Sequence, residues 1–272
     1  MENLKIKKIT IYLLIFFCFL TFYIILSFLK IKEGVYFLNV GQSGGIGILN
    51  KRDFFLYDAG KNKNIVYEIK KILPFWKKQI DGIFISHFDK DHWKGIYEIL
   101  KIYKIRTVFL PKVDINNPQE RELVRFLIEN KIKIFLLKNG STLLTNNEFF
   151  VILNDGRDAK NSNEKSLVIK LFQQGNKFLF LGDLSLKAFD RIKNFDLKAD
   201  YLLLPHHGSK YNISEEILKI IEPKVAIIQT GPNPYGHPHK EVIDILKTLK
   251  INFLRTDDGT IGVFKDSIKI LK

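Results

Sequence analysis

The sequence predicts an α+β fold, two β-sheets packed face to face with helices outside, preceded by one membrane-spanning helix. Three observations carry this. Residues Ile9 to Leu29 form a run of 21 without a charge, long enough at about 1.5 Å per residue to cross a hydrocarbon core. From Val35 onward, short apolar runs broken by Gly, Asn and Asp alternate with stretches of helical spacing, the pattern of strands, turns and covering helices. All six histidines fall in three segments, each just after an apolar run.

The first element is the N-terminal helix. A cleavable signal peptide is the rival reading, but the apolar run exceeds the usual length of about 7 to 15 residues, and no small-x-small site follows at 27–34. Every face of the segment is apolar, which argues against a core helix. Lys5, Lys7 and Lys8 flank one end, Lys30 and Lys32 the other, offset by Glu2 and Glu33. With the terminal amine counted, the positive-inside rule favours a cytoplasmic N-terminus. The expectation is a single-pass protein of the cell membrane: residues 1–33 a stub and anchor, 34–272 one extracytoplasmic domain.

Within that domain, strands are expected at 35–40, 45–50 and 53–58, then a helix near 64–73 stopped by Pro74. A strand over 80–86 runs straight into a histidine-acid cluster. Helical spacing follows over 92–103, a strand at 108–110, and a helix at 118–130 with Asn117 as N-cap. Strands follow at 133–137, 148–153, 166–172, 177–181 and 201–205. The chain closes with a helix at 214–221, a strand at 224–229, a helix at 239–249, and strands at 252–255 and 260–265. Their order suggests antiparallel groups, with loops at one edge collecting the ligands.

Composition narrows the function classes. Hydrophobic residues make up 46% of the chain, including 23 Phe, which excludes a disordered chain. The formal net charge of +14, from 43 Lys and Arg against 29 Asp and Glu, suits a protein drawn to DNA or anionic lipid. The lysines are spread along the chain, so a solvated basic surface accounts for them equally well. Cys18 is the single cysteine; it excludes an intramolecular disulfide and a cysteine-rich zinc site, leaving histidines and carboxylates as metal donors.

Those donors are dense. His87-x-Asp89-x-Asp91-His92 puts four candidate ligands within six positions after a strand; such groups gathered in one turn coordinate a cation or face water. Phe178 to Leu181 ends in Gly182-Asp183, and Tyr201 to Leu204 in Pro205-His206-His207-Gly208-Ser209. Ile227 to Thr230 leads into a Pro- and Gly-rich loop carrying His237 and His239. One of His206 and His207 is a ligand or a hydrogen-bonding support. His237 is a phosphate contact, a proton donor or plain loop structure, and His239 also suits the opening of a helix.

Taken together, these motifs resemble the metallo-β-lactamase-fold hydrolases, and within them the C-terminal hydrolase domain of the ComEC/Rec2 DNA-uptake competence proteins. The resemblance covers nearly all of 34–272. It rests on Asn39-Val40-Gly41-Gln42, Leu56-Tyr57-Asp58-Ala59-Gly60, the run from Ser86 to Gly95, Asn163-x-x-Ser166-Leu167-Val168, Leu181-Gly182-Asp183, Pro205 to Ser209, Tyr235-Gly236-His237-Pro238 and Arg255-Thr256-Asp257. It implies a four-layer αββα sandwich holding two divalent metal ions. His87 and Asp89 then serve one metal, Asp91 and His92 the other, Asp183 bridges them, and His206 completes the second site. Asp58, Asn163, Ser166, His207 and Ser209 surround these as supporting or substrate-contacting residues, and Asp91 and His237 are the residues expected to act in catalysis. Asp89, an oxygen donor where histidine is usual in the broader superfamily, shifts preference from Zn toward Mn or Mg.

The chain departs from the resemblance in two places. Asn39 stands where an acid is usual, with Ser43-Gly44-Gly45 following, and Lys94-Gly95 keeps one of two usual glycines. The expected function is cleavage of DNA phosphodiesters by a membrane-anchored hydrolase, with a separate DNA-uptake channel as partner. A metallo-hydrolase of a small phosphoester, lactone or lactam is the second reading, and a non-catalytic DNA-binding module the third.

Overall fold

A computed structural model describes residues 2–29, 32–145, 148–159 and 161–272. Helix α1 spans Glu2–Leu29, and its stretch Ile6–Leu26 is long and apolar enough to cross a membrane. Of the junction expected at 29–34, residues 30 and 31 lie outside the described residues.

The first sheet contains β1 (Gly34–Phe37), β2 (Gly45–Leu49), β3 (Phe54–Ala59), β5 (Gly82–Phe84), β7 (Thr107–Leu110) and β8 (Lys133–Leu136), and the C-terminal hairpin β16 (Thr260–Phe264) and β17 (Ser267–Leu271) completes it. Its spatial order is β17-β16-β1-β2-β3-β5-β7-β8. The second sheet holds β9 (Thr142–Leu144), β10 (Glu148–Asn154), β11 (Val168–Gln173), β12 (Asn176–Phe180), β13 (Tyr201–Leu203), β14 (Val225–Ile228) and β15 (Asn252–Arg255), in the order β15-β14-β13-β12-β11-β10-β9. A small pair, β4 (Gln79–Ile80) and β6 (Lys104–Ile105), lies apart.

Between the sheets an aromatic-rich core excludes water, with Phe37, Tyr57, Phe84, Phe150 and Phe180 buried in one cluster. Phe84 stacks on Phe109 with centroids 4.6 Å apart. Each such side chain contributes about 1.5–3 kcal/mol by leaving water. The outer face of the first sheet is covered by α2 (Asn64–Ile72), α3 (Lys90–Trp93), α4 (Ile96–Leu100) and α5 (Pro118–Glu129), and that of the second by α6 (Glu215–Ile221) and α7 (Lys240–Thr248). This is the four-layer αββα sandwich. The expected caps are in place: Asn117 accepts from the backbone of Gln119 and Glu120, and Ser214 from Ile217.

Three details differ from the sequence expectation. Half of each sheet is parallel rather than antiparallel, since β3, β5, β7 and β8 run alike, as do β12 to β15. The helical pattern over 92–103 is two short helices, because the Gly95 N–H leaves the helix to donate to the Gly60 carbonyl at 2.8 Å, an approach so close that an added Cβ would lie 2.0 Å from the Ala59 carbonyl oxygen. β9 and β17 are additional strands at sheet edges. The parallel strands carry the functional consequence, since the C-terminal ends of β5, β12, β13 and β14 meet along one rim.

Candidate metal centre

The rim is organised from beneath by Asp58. A register shift in the β2–β3 ladder leaves Asp58 out of the pairing, and its backbone takes a left-handed φ of 63°, which an aspartate tolerates better than most residues. Its carboxyl then accepts from the Ser86 backbone N–H at 2.7 Å, from Ser86 Oγ at 2.8 Å and from His92 Nδ1 at 2.7 Å. Because Ser86 Oγ spends its proton on Asp58, it accepts from His87 Nδ1, 2.9 Å away. One carboxyl thus orients two imidazoles with each Nε2 turned toward the rim. Gly44 leaves room for this network, since a Cβ there would lie 2.7 Å from both Asp58 Oδ2 and His92 Nδ1.

The second sheet supplies the opposite wall. At the end of β12, Gly182 turns the chain with φ of 56°, and the Asp183 N–H donates to Ser166 Oγ at 2.9 Å. After β13, His206 and His207 both adopt left-handed backbone, φ 48° and 57°. Consecutive residues of a strand point to opposite faces; this turn sends both rings to the same side. His207 Nδ1 donates to the Gln229 carbonyl at 2.8 Å. His206 Nδ1 lies 3.3 Å from Asn212 Oδ1, while the Asn212 amide nitrogen donates to the Asp183 carbonyl at 2.9 Å. Both Nε2 atoms therefore also turn toward the rim.

The residues present fit a metal. Nε2 of His87, His92 and His207 are buried without a hydrogen-bond partner, a costly arrangement unless a cation takes the lone pairs. The donor atoms of His87, His92 and Asp183 lie within 4.8 Å of one another, as do those of Asp91, His92 and His207. Asp89 Oδ2 is 3.5 Å from His87 Nε2, and His206 Nε2 is 3.6 Å from Asp183 Oδ2. The geometry thus gathers all six expected ligands, and it sets His207, expected in a supporting role, beside Asp91 and His92.

Charge is concentrated to match. Burial alone would raise the Asp183 carboxyl, but the surrounding imidazoles, His92 first, hold it down at about 2. Burial likewise opposes ionisation of Asp91, and the neighbouring imidazoles of His207 and His92 more than reverse it, holding the carboxyl well below the usual carboxylate range. Burial would lower His92, yet Asp58 and Asp183 push it up to about 10. In the metal-free protein a proton on His92 thus balances part of the acid cluster.

Above the cage lies an open cleft of about 470 Å³, lined by Gln42, Asp89, Asp91, Asp183, His206, His207, Ser209, Tyr211, Tyr235, His237 and His239. His237 is clamped through its backbone, its N–H donating to Asn233 Oδ1 and its carbonyl accepting from Asn233 Nδ2. Its Nδ1 lies 3.3 Å from Gln42 Nε2, whose amide oxygen accepts from Thr230 Oγ1. The amide nitrogen donates, so His237 carries its own proton on Nε2. Burial and the neighbouring His206 and His239 lower its pKa to about 4, so at neutral pH it is a neutral hydrogen-bond donor. His239 is the N-cap residue of α7, and its Nδ1 accepts from the Lys210 backbone.

Of the other expected site residues, Ser209 lines the cleft and is buried. Asn163 stays in a short 3-10 turn, where its carbonyl accepts from the Ser166 N–H. Sequence reasoning missed three contributors: Ser86 as relay, Asn212, and the Gln229 carbonyl. Gln229 carried a faint signal, as a polar residue within an otherwise apolar run.

The metallo-beta-lactamase superfamily description matches residues 50–231. The chain belongs to the metallo-β-lactamase superfamily. This superfamily member is 30% identical over 242 residues to ComE operon protein 3 of Bacillus subtilis, a match covering 81% of this chain and 31% of that protein. It is 27% identical to Recombination protein 2 of Haemophilus influenzae, covering 86% and 29%, and 27% identical to Competence protein ComA of Neisseria gonorrhoeae, covering 66% and 24%. The chain thus spans less than a third of the length of these relatives. Among solved structures, the metallo-β-lactamase-fold protein YhfI of Bacillus subtilis superposes with a TM-score of 0.60 at 13% identity, covering 82% of this chain and 96% of that one. CmlA, a diiron β-hydroxylase of Streptomyces venezuelae, superposes with a TM-score of 0.57 at 14% identity, covering 88% and 54%. These two likenesses are of fold.

Proposed function

We propose that this superfamily member is a membrane-anchored, metal-dependent phosphodiesterase that cleaves DNA, with residues 1–33 as anchor and 34–272 as hydrolase domain. One observation carries it: three buried, unpartnered imidazole nitrogens converge with Asp91 and Asp183 on the floor of an open cleft. His87, Asp89 and Asp183 would hold one divalent ion, and Asp91, His92, Asp183 and one or both of His206 and His207 a second. When bound, two divalent ions supply Lewis-acid charge at a phosphoryl centre and a nucleophile at neutral pH; Mn, Zn and Mg all suit the mixed donors.

The chain's own residues do the rest. Asp58 and Ser86 keep His87 and His92 aimed, so little reorganisation is needed on loading. His237, neutral and donating from Nε2, offers a hydrogen bond to a phosphate oxygen, and Ser209 lines the same wall. The competence and recombination names of the relatives and the net charge of +14 support DNA as substrate and partner. A DNA-uptake channel is the second partner in this reading, and the lysines flanking the N-terminal side of the apolar run, Lys5, Lys7 and Lys8, support a domain outside the cytoplasm.

The test is the purified full chain with Mn, Mg or Zn and labelled single- and double-stranded DNA. Metal-dependent cleavage, lost in Asp91→Ala, is the expected result. Turnover confined to small phosphoesters or lactones overturns the DNA assignment, and metal-free DNA binding without turnover overturns the enzyme assignment.

A further inference from the structure

The two ends of the first sheet differ in character. β1, β3, β5 and β7 run in one direction, so their C-terminal ends share the metal rim and their N-terminal ends share the opposite face. α1 enters at that opposite face. Between the end of its apolar stretch at Leu26 and the start of β1 at Gly34, the chain can span at most roughly 27 Å. Its last residues are already tied down: the Lys32 ammonium sits 3.7 Å over the Phe264 ring, and Glu33 pairs with Lys51 at 3.9 Å.

The same face presents an aromatic loop that the catalytic reading does not use. Pro74-Phe75-Trp76 follows α2 and precedes β4, and Phe75 is 57% exposed. The Phe75 and Trp76 rings pack edge to face at 5.1 Å, and Phe75 lies 6.0 Å from Tyr23 of α1. Tyr23 stands within one turn of the end of the apolar stretch, the depth at which aromatic side chains concentrate at a membrane interface. Around the loop, Arg52, Lys78, Lys104 and Lys265 are exposed and have no ion pair among the described residues. Glu33 and Asp81 pair with Lys51 and Lys77; Asp53 and Asp266 also lie at this end, as does Glu148, which is buried against Asn50.

We infer that this face docks on the surface of the bilayer that α1 crosses, with Phe75 and Trp76 seated in the headgroup region and the surrounding cations facing anionic lipid. The inference rests on the proposed membrane anchoring and is independent of the substrate. Wedge and charge act together, as in interfacial segments that combine apolar side chains with basic neighbours. Because the metal rim lies at the far end of the same strands, the cleft opens away from the bilayer. His87 stands five positions beyond Gly82, so the cage stands roughly 15–20 Å above the docked face.

Two single residues make this testable in the full chain. Trp76 and Trp93 are the only tryptophans, and Trp93 is fully buried, so quenching by lipids with brominated acyl chains reports Trp76. Cys18, the only cysteine, lies within the apolar stretch and reports insertion of α1 by its protection from a membrane-impermeant maleimide. In vesicles of phosphatidylcholine and phosphatidylglycerol, we expect Cys18 protected and the emission of one of the two tryptophans quenched, with that quenching lost in Trp76→Phe. Cys18 protected with Trp76 unquenched overturns the docking and leaves the anchor standing. Cys18 reactive overturns the anchor and with it the docking of a tethered domain; a quenched Trp76 then marks a peripheral contact only, and an unquenched one no membrane contact at this face.

Discussion

The histidines on the floor of the site and the one on its wall are held in opposite proton arrangements. His87, His92, His206 and His207 each have Nδ1 against an outer partner, leaving Nε2 for the cage. His237 has Nδ1 against the Gln42 amide nitrogen, so its Nε2 presents a proton to the cleft. Identical side chains are thus sorted into electron-pair donors and a proton donor by their neighbours alone. The floor is also more firmly built. The orienting contacts of His92, His87 and His207 to Asp58, Ser86 and Gln229 are 2.7–2.9 Å and buried, whereas the Gln42–His237 contact is 3.3 Å and part-buried; His206, at 3.3 Å from Asn212, is the loosely held member of the floor. Metal binding should therefore depend on the floor and substrate turnover on both.

Breaking the floor directly should have the largest effect. Asp91→Ala is expected to lower kcat/KM on the order of 10³-fold or more and to reduce the bound metal measured by elemental analysis. Normal metal content with that loss would separate catalysis from ligation at Asp91. One shell further out, Asp58→Asn keeps the shape but puts an amide nitrogen where His92 or Ser86 needs an acceptor; metal affinity should fall about 10–100-fold, read by calorimetric titration. Gly44→Ala should move affinity the same way, since its Cβ intrudes on the same pair. An unchanged affinity in both variants would mean the cage does not rely on that network.

The wall should respond differently. Gln42→Glu offers an acceptor to His237 Nδ1 and reverses which nitrogen holds the proton, so kcat/KM should drop about tenfold at unchanged metal affinity. Nitrogen chemical shifts of His237 check the tautomer directly. A loss of metal in this variant would erase the distinction between floor and wall.

The smallest effect concerns pH. In the metal-free protein His92 is raised from 6.5 to about 10. Its charged form then stabilises the fold fully below 6.5, and that contribution disappears as pH rises through about 10. The thermal midpoint of the metal-free chain should fall by several degrees between pH 7 and 10, while the loaded chain should lack this dependence, because metal takes the proton's place. The same exchange makes metal affinity climb with pH across that window. Parallel curves for the two forms would show that His92 is not displaced.

The contrast also marks what was legible in the sequence. Floor residues announce themselves, because His87 to His92 is dense in donors and Asp183 and His206-His207 each end an apolar strand. What turns them into a cage is through-space: the Gln229 carbonyl meets His207, and Asn212 joins His206 to Asp183, between residues that no local pattern pairs. The choice between His206 and His207 was illegible for the same reason, since it depends on two successive left-handed residues. In the fold, apolar period revealed the strands and caps revealed α5 and α6, but period alone does not distinguish parallel from antiparallel pairing. β9 and β17 carry little signal because they are three and five residues long and largely exposed, and the break in the 92–103 pattern is invisible to periodicity because it comes from the bond of the Gly95 N–H to the distant Gly60 carbonyl.

The cage draws His87, Asp89, Asp91 and His92 from the first sheet and Asp183, His206 and His207 from the second, on either side of the aromatic core. A bound ion is therefore a rivet through both leaves of the sandwich. Its binding energy would add to the adhesion of the two sheets, so on the proposed assignment the supply of metal would set how long the folded chain resists proteases as well as whether it turns over substrate.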